Sequence, residues 1–379
     1  MVVYLDNAAT TPIAPEVIEA MLPVLKDGFG NPSSTHSYGR KSKALIETSR
    51  RSIAKHLNCQ PSEIIFTSGG TEADNMALRS SVNVLGVTHI ITSQIEHHAV
   101  GHTVESIEKK GNVTVSYVNI DEKGHVDLAH LEELLKTDKK TLVSLMHANN
   151  EIATLLPIPK VSELCRKYGA YFHSDTVQTM AHYAIDLQER DLDFLTGAAH
   201  KFHGPKGIGF IYVNKNTKIG SLIHGGAQER GFRGGTENVY GIVGMAKAMD
   251  LAYEDVVSHQ QHVQELKSYM IEELQSYFDD IYFHGETDPD KSLYTVLNVC
   301  FPATDKSSML LFTLDLKGVA VSGGSACSSG SSKGSHVLEG INADMTRPNA
   351  RFSFSRYTTK EEIDYALEQV KAVFEKTLA

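Results

Sequence analysis

A cysteine near the carboxyl end of the chain lies in a run of small residues. Cys327 follows Ser325 and Ala326 and precedes Ser328, and the run 321–332 contains almost no apolar side chain that would anchor it. We expect an exposed thiol on a mobile loop, which suits a nucleophile that must travel. On this segment alone, however, the pattern favours a Gly/Ser linker that contains a cysteine by chance.

A glycine turn follows the apolar run 63–67. Gly69, Gly70 and Thr71 come directly before a helical pattern, so backbone N–H groups and a hydroxyl would lie at a helix N-terminus, where an anion such as phosphate binds. The turn matches neither GxxxxGK[ST] nor GxGxxG, and it therefore gives no specific support for a nucleotide. An ordinary turn capped by Thr71 explains this segment about as well.

Three further polar residues follow apolar runs in the same way. Asp175 and Gln178 come after 170–173, and Lys201 comes after 192–196. The carboxyl ends of the strands form the usual ligand edge of an α/β sheet. A lysine flanked by apolar residues and glycines can be desolvated, which lowers its pKa and frees the amine for Schiff-base chemistry. For Asp175, capping of the next turn is an equally good explanation.

A pair of histidines also follows a strand, at 90–92. His97 would bring to the same edge a ring that stacks or exchanges protons. Neighbouring histidines point to different sides, and no carboxylate or cysteine stands at a supporting spacing in the sequence. We therefore expect no metal.

The elements that must position these residues alternate between short β-rich runs and amphipathic helical patterns. This alternation predicts a largely parallel sheet covered by helices. The predicted strands are 63–67, 89–92, 113–118, 142–146, 170–173, 192–196 and 209–213. A long helical pattern runs from Glu237 to about Tyr277, and the chain changes character after it. We predict a large domain at 12–255 and a smaller α+β domain formed by 1–11 and 256–379, which carries the cysteine loop at about 321–335.

The strand ends together deliver a phosphate cradle, an imidazole, a carboxylate and an amine to one edge of one sheet. Pyridoxal 5'-phosphate needs this set. Lysine forms a Schiff base with it, a carboxylate keeps the pyridine nitrogen protonated so that the ring acts as an electron sink, and a glycine turn binds the phosphate.

Several motifs resemble those of the pyridoxal-phosphate-dependent cysteine desulfurases of the NifS-like type, in the class V aminotransferase family, and the resemblance covers essentially the whole chain. The motifs are YLDNAATT at 4–11, FTSGGTEADN at 66–75, MHANNE at 146–151, HKFHGPKG at 200–207, RGGTEN at 233–238, SACS at 325–328 and ARFS at 350–353. The resemblance implies the fold type I of pyridoxal-phosphate transferases, similar to aspartate aminotransferase, with a mixed, mostly parallel seven-stranded sheet.

The resemblance also implies a role for each candidate residue. These roles are Lys201 as the Schiff-base lysine, Asp175 as the partner of the pyridine nitrogen, Gln178 as a donor to the ring hydroxyl, His97 as the ring-stacking acid/base, Gly70, Thr71 and His200 as phosphate ligands, Thr236 as a phosphate ligand from the other subunit of a homodimer, and Asn149 and Arg351 as ligands of the substrate carboxylate.

By the same resemblance, the reaction converts L-cysteine to L-alanine. The thiolate of Cys327 takes the sulfur as a persulfide and passes it to an acceptor protein, either an iron–sulfur scaffold or a tRNA-thiolation enzyme. Such a loop must reach inward to attack and outward to deliver.

Three positions depart from the family pattern. Ala198 stands where a phosphate-binding serine is usual, so one hydroxyl contact is missing. Lys333 and Gly334 replace a common Glu-Pro beyond the cysteine. The sequence ends at Ala379, directly after the last helix, without the extension by which some relatives dock an iron–sulfur scaffold, so the residues leave the acceptor open.

Two alternatives remain open at this stage. The chain could be another enzyme of the same fold, an aminotransferase or a selenocysteine lyase, in which Cys327 is incidental. It could also be a sulfur carrier or assembly factor that kept the fold without the chemistry.

The composition limits the kinds of binding partner that we expect. The 379 residues carry a formal net charge of -10, which disfavours nucleic acid or an anionic membrane as the main partner. The four cysteines form no CxxC pair, the N-terminus does not resemble a signal peptide, and no apolar stretch is long enough to span a bilayer. We expect a cytoplasmic protein with reduced thiols, in which Cys59, Cys165 and Cys300 serve packing.

Overall fold

A computed structural model describes residues 1–303, 309–323 and 334–375. Cys327 and Lys333 lie outside these described residues. The strands are β1 (Val3–Tyr4), β2 (Ile64–Thr67), β3 (His89–Thr92), β4 (Thr114–Tyr117), β5 (Thr141–Ser144), β6 (Tyr171–Asp175), β7 (Phe194–Ala198), β8 (Gly209–Val213), β9 (Tyr282–His284), β10 (Val296–Cys300), β11 (Val319–Ala320) and β12 (Asn349–Ser353). The helices are α1 (Pro15–Asp27), α2 (Ser37–His56), α3 (Gly70–Asn83), α4 (His98–Glu108), α5 (Leu128–Leu135), α6 (Ile158–Tyr168), α7 (Val239–Glu254), α8 (Val256–Tyr277), α9 (Leu310–Leu316), α10 (His336–Gly340) and α11 (Lys360–Glu375).

Seven strands form the main sheet in the order β2-β8-β7-β6-β5-β3-β4. Strand β8 runs antiparallel to both of its neighbours, and the other pairs are parallel. The predicted α/β fold with a mixed, mostly parallel seven-stranded sheet is therefore confirmed. The carboxyl ends of β3, β5, β6 and β7 meet at one edge, because parallel neighbours end on the same side.

Apolar side chains cover both faces of this sheet. Along β2, Ile64 and Phe66 pack into one core cluster, whereas Ile65 between them packs into another. This alternation follows from the two-residue repeat of a strand. The first cluster includes residues of α1, α2, α6 and α7, and the second includes residues of α3 and α4. Helices therefore lie on both faces, which keeps the parallel strands out of water.

The remaining strands form two small sheets with a core of their own. Strands β12, β10 and β9 make an antiparallel sheet, and β1 pairs with β11. Their apolar residues pack with α8 and α11 in a third cluster, which also contains Val3 and Leu5 from the amino end. The long helical pattern predicted from Glu237 is two helices, because Asp255 leaves helical geometry at φ −145° and ψ 50°. The break coincides with position 255, and the division into two domains at 255 and 256 stays a prediction.

The three described ranges contain no helix of the length and apolarity that a membrane crossing requires.

A buried ion pair holds the strand that leads into the glycine turn. The guanidinium of Arg50, on α2, donates two hydrogen bonds of 2.7 Å to the carboxylate of Glu229 and a third, of 2.8 Å, to the Ile64 carbonyl. The Phe66 N–H also donates to Glu229, at 2.9 Å. Side chains of both ion-pair partners are almost completely buried. This ion pair therefore connects strand β2 to α2, and Arg50 also pairs with Glu47 of its own helix at 3.3 Å.

Replacing one partner of this pair should destabilise the fold strongly. We expect Arg50→Ala to lower the free energy of unfolding by about 3–5 kcal/mol, because Glu229 would stay buried without its cation. The combined change Arg50→Met with Glu229→Gln should recover part of this loss, since the amide still accepts from Phe66. Urea unfolding measures both, with Lys109→Ala, in an exposed pair with Glu105, as a control that should change little. A loss in Arg50→Ala no larger than in this control would contradict the prediction.

Candidate active site

A cleft opens where the carboxyl ends of the parallel strands meet. It contains about 790 Å³ of empty space, counted to its open mouth. Eight of the predicted site residues line it, namely Gly70, Thr71, His97, Asp175, Gln178, His200, Lys201 and Arg351. The structure thus brings together residues that are up to 281 positions apart in the chain.

The glycine turn lies on the floor of this cleft. Gly69 has φ +157° and ψ −178°, a conformation that side-chain-bearing residues rarely adopt. Helix α3 begins at Gly70, where a Cβ would come within 2.8 Å of the Val177 side chain. The first N–H groups of a helix have no partner within it. The turn therefore presents amide donors at close range to anything that occupies the cleft, and Ala198 lies beside it at the end of β7.

Lys201 extends into the cleft against the amino-terminal segment. Its Nζ donates to the carbonyls of Ala8, at 2.5 Å, and Ala9, at 2.9 Å. The Gln178 amide also donates to the Ala8 carbonyl, at 3.0 Å. Ala8 and Ala9 are thus part of the site, and the candidate list from the sequence missed them. The signal was present in the motif at 4–11, but carbonyl groups cannot be recognised from residue type.

Two buried carboxylates and a histidine form the far wall. Single ligand atoms of Asp74, His97 and Asp175 all lie within 4.8 Å of one another. Burial raises the pKa of Asp74 to about 7 and that of Asp175 to about 6, and the negative charge of Asp74 adds to the rise in the pKa of Asp175. The sequence showed no carboxylate at a spacing that supports His97, because these side chains come from α3, from the start of α4 and from the end of β6, and meet only in the folded chain.

The two histidines in the cleft favour the neutral state. His97 caps α4, with Nδ1 accepting from the Ala99 N–H at 3.1 Å. Burial lowers its pKa, and the carboxylate of Asp175 opposes this shift. Burial also lowers the pKa of His200 to about 4, helped by the charge of Lys201, and its Nδ1 lies 3.2 Å from the Thr10 hydroxyl. Neutral imidazoles can both accept and donate a hydrogen bond.

A buried arginine also lines the cleft and supplies positive charge. Arg351, on β12, donates from Nη2 to the Asp6 carboxylate and from Nη1 to the Asn150 carbonyl, both at 2.9 Å. Its Nε is buried and has no hydrogen-bond partner within the described ranges. A buried cation with remaining donor capacity is suited to binding a carboxylate.

Three predicted site residues have other surroundings. The Asn149 side chain donates to the Ile95 carbonyl at 2.8 Å and accepts from the N–H groups of Glu151 and Ile152, so its amide shapes the turn 149–152 and does not line the cleft. Thr236 lies in a separate cavity with Ser68 and Arg233. Cys327 lies outside the described residues.

The side chains that line the cleft fit pyridoxal phosphate better than a metal ion. Asp74, His97 and Asp175 could hold a metal by proximity, yet an amine, an arginine and a helix N-terminus converge on the same cleft. A metal would use none of these three groups. An aromatic cationic ring with an aldehyde and a phosphate would use the amine and the helix N-terminus, and the arginine would remain for the carboxylate of a substrate. The buried Asp74 Oδ1, which lies 3.4 Å from His173 Nε2 and has no hydrogen-bond partner among the described atoms, adds negative charge beside Asp175 when it is ionised.

The buried carboxylates predict how stability depends on pH. The pKa values of Asp74 and Asp175 are higher in the folded chain than in the unfolded chain, so the cofactor-free fold retains protons that the unfolded chain releases. The contribution of these two groups to the free energy of unfolding should therefore fall as pH rises from about 4 to 7, whereas buried histidines such as His200, whose pKa is lowered, contribute a rise over this range. Because Asp74→Asn removes one falling contribution, the change in free energy of unfolding between these pH values should be more positive in the variant than in the unchanged chain by on the order of 2 kcal/mol. Urea titrations at several pH values measure it, and equal slopes for the variant and the unchanged chain would contradict it.

Comparison with known proteins agrees with this site. Residues 3–366 match the family model of aminotransferase class-V. The chain is 46% identical to the cysteine desulfurase IscS of Dictyoglomus turgidum, over 99% of this chain and 95% of that one. A solved NifS-like protein is 36% identical, with a TM-score of 0.91 over 99% of this chain and 100% of that one. Another structure, of SspA in complex with cysteine, is 33% identical, with a TM-score of 0.80 over 94% of this chain and 100% of that one. On the family match and on these identities over nearly its full length, the chain belongs to the class V aminotransferase family.

Proposed function

We propose that the chain is a pyridoxal-phosphate-dependent cysteine desulfurase, which converts L-cysteine to L-alanine and takes the sulfur onto Cys327. The observation that carries this proposal is the convergence of Lys201, Asp175 and Arg351 on one cleft. A relative named cysteine desulfurase is 46% identical over nearly the full length of both chains, and a structural neighbour has been solved with cysteine.

The cofactor would lie between the carboxylates and the glycine turn. Asp175 would face the pyridine nitrogen, with His97 against the ring and Gln178 near the ring hydroxyl. The first N–H groups of α3, with Thr71 and His200, would hold the phosphate. Because Ala198, at the end of β7, has no side-chain hydroxyl to donate, backbone N–H groups would contribute more to phosphate binding than they would beside a serine.

Pyridoxal phosphate, when bound, supplies an electron sink that stabilises the charge left after the substrate loses its α-proton. Lys201 holds the cofactor and accepts that proton at Nζ, and the carbonyls of Ala8 and Ala9 keep this amine at the cleft wall. Arg351 binds the substrate carboxylate, held in place by Asp6 and the Asn150 carbonyl.

The sulfur step belongs to Cys327. Its thiolate attacks the substrate sulfur, so that an S–S bond forms while the C–S bond breaks, and the carbon fragment is protonated to alanine. In sum, L-cysteine and one enzyme thiol become L-alanine and one enzyme persulfide. The role of Cys327 rests on its sequence, SACS within a run of small residues. The acceptor would be an iron–sulfur scaffold or a tRNA-thiolation enzyme.

A homodimer would complete the phosphate site. Thr236 lines a cavity separate from the Lys201 cleft of its own chain. Large apolar side chains of α1 are exposed at Ile18, Leu22 and Leu25, which is typical of a surface that another subunit covers. Thr236 would then reach the phosphate of the partner subunit.

Cysteine turnover tests the function. The loaded enzyme should produce alanine and, with a reductant, an equal amount of sulfide, without any 2-oxo acid. Cys327→Ser should abolish sulfide release and leave the visible absorbance of the cofactor intact, whereas Lys201→Ala should change that absorbance and abolish both products. Wild-type turnover by Cys327→Ser without added thiol, or formation of a 2-oxo acid, would refute the proposal.

Mixed dimers test the shared site. We expect Thr236→Asp to weaken cofactor binding at least tenfold, because its charge would face the phosphate. When it is co-expressed with Lys201→Ala under separate tags, the purified heterodimer should regain up to half the wild-type activity, since one of its sites has both residues. A heterodimer as inactive as its parents, or an active monomer by sedimentation, would show that Thr236 is not shared between subunits.

A further inference from the structure

A second cavity lies beside the segment that follows Lys201. It contains about 340 Å³ of empty space, counted to its open mouth. Three histidines, His182, His203 and His259, line it together with Arg356, and none of the described residues in its lining is acidic. The whole chain carries a formal net charge of -10, so this concentration of basic side chains runs against the overall charge. Such a lining is suited to a negatively charged ligand.

Arg356 supplies a permanent positive charge to the second cavity. Its Nη2 donates to the Tyr357 hydroxyl at 3.0 Å, and its guanidinium lies 5.0 Å from the centre of the Tyr357 ring. The ion pairs found among the described residues include several other arginines but not Arg356. Because a guanidinium has several N–H groups, Arg356 keeps donors for a ligand, and its charge has no carboxylate partner in the described ranges.

The three histidines experience this charge. Burial lowers the pKa of His182 and that of His203 to about 4, and the charge of Arg356 contributes to both shifts. Burial also lowers the pKa of His259, again with a contribution from Arg356, whereas the carboxylate of Asp255 opposes this shift. The potential in the cavity is therefore positive enough to disfavour protonation of the imidazoles, and a bound anion would offset it.

The main chain around the second cavity has an uncommon conformation. Ala181 and His203, which both line it, have φ +63° and +66°, in the left-handed region that non-glycine residues rarely adopt. The His182 ring lies between the Tyr294 hydroxyl, 2.9 Å from Nδ1, and the Lys201 carbonyl oxygen, 3.3 Å from Nε2. Strained residues persist where the surrounding structure fixes them, often at binding sites. A ligand in this cavity would thus contact fixed residues beside Lys201.

Two of the histidines have one ring nitrogen engaged with a carbonyl group. His203 Nδ1 lies 2.9 Å from the Pro12 carbonyl oxygen, and the His259 ring binds the Ala252 carbonyl. A neutral imidazole has a single N–H, so the second nitrogen of each ring carries a lone pair that would repel an anion. Anion binding therefore favours proton uptake. His259 is the better proton acceptor, because it is partly exposed whereas His203 is almost completely buried.

We propose that the second cavity binds a small monovalent anion, held by Arg356 and accompanied by a proton on His259. Arg356 and a protonated His259 carry two positive charges, and Asp255 offsets one of them, which leaves the charge that a monovalent anion balances. A divalent anion would bring a further buried charge without compensation. The inference goes beyond the proposed function, and chloride serves as the probe.

Chloride titration tests the site. The purified chain is used with pyridoxal phosphate added, so that the phosphate-binding turn of the cleft is occupied. The line width of the chloride magnetic resonance signal reports binding, and gluconate replaces chloride to keep the ionic strength constant. Arg356→Gln should weaken chloride binding at least about tenfold, because a hydrogen bond from a charged group is lost. Arg356→Lys should bind more tightly than Arg356→Gln, since its ammonium group keeps the charge.

A matched control is available on α2. Arg51 is an exposed arginine whose side chain also donates to a hydroxyl, that of Thr48, at 3.0 Å. Arg51→Gln removes the same charge from the chain as Arg356→Gln does, at a different place. It should bind chloride as the wild type does, which separates the local site from the effect of net charge.

The pH dependence tests the proton. The wild type should bind chloride roughly threefold more tightly at about pH 6 than at about pH 8, because the bound anion raises the pKa of His259. His259→Gln should lose this difference. The other ionisable groups that line the cavity or act on His259 are His182, His203, His262, Asp255, Tyr294 and Arg356.

Bromide locates the site, because its anomalous scattering identifies it in a crystal. Crystals soaked in bromide should show a peak beside the Arg356 guanidinium, and Arg356→Gln should lack it. Chloride binding by Arg356→Gln equal to that of the wild type, or no bromide peak in the second cavity, would overturn the anion site. An equal pH dependence in His259→Gln and the wild type would overturn the role of the proton. Should Arg356→Gln not fold, Arg356→Lys and the bromide peak make the same test.

Discussion

The structure depends on removing ionisable groups from water at one edge of a parallel sheet. Asp74, Glu96 and Asp175 are nearly inaccessible to solvent, and burial raises the pKa of each carboxyl group, to about 8 for Glu96. Such groups are costly to bury, and the fold supplies partial compensation. The Ser93 hydroxyl and the Met146 N–H donate to Glu96, and the Val177 N–H donates to Asp175. Asp74 and Asp175 line the cleft, where a cationic ligand would balance their charge, whereas Glu96 lines a separate cavity.

The amino-terminal segment closes this cleft from the side of the smaller sheet. The Asn7 side chain donates to the Ser353 carbonyl, and Asp6 pairs with Arg351, so the segment is fixed to β12. The next residues, Ala8 and Ala9, offer their carbonyl groups to Lys201. One short segment thus connects the arginine on β12 to the lysine that follows β7. The distance between the Lys201 amine and the Arg351 guanidinium therefore depends on this segment as well as on the two sheets.

The turn 149–152 has a comparable role on the other wall. The Asn149 side chain, predicted as a substrate ligand, donates to the Ile95 carbonyl and the Met146 sulfur and accepts from the N–H groups of Glu151 and Ile152. Its four hydrogen-bonding positions are thus all engaged within the protein. The same turn binds Arg351 through the Asn150 carbonyl and α10 through the Glu151 carboxylate. Asn149 and Glu151 can therefore influence the position of Arg351 from outside the cleft, because a buried turn has few alternative conformations.

The sequence by itself determined the alternation of strands and helices, the seven-stranded sheet and most residues of the cleft. Strand periodicity and the position of Asp175, Lys201 and the glycine turn at strand ends are local patterns, and parallel strands necessarily bring such ends together. Only the tertiary structure decided which polar groups face each other. The carbonyls of Ala8 and Ala9, the proximity of Asp74 to Asp175 and the bond from Ser335 to Glu151 join residues far apart in the chain. No local pattern encodes these contacts, because each depends on how sheets, helices and the amino-terminal segment pack against one another.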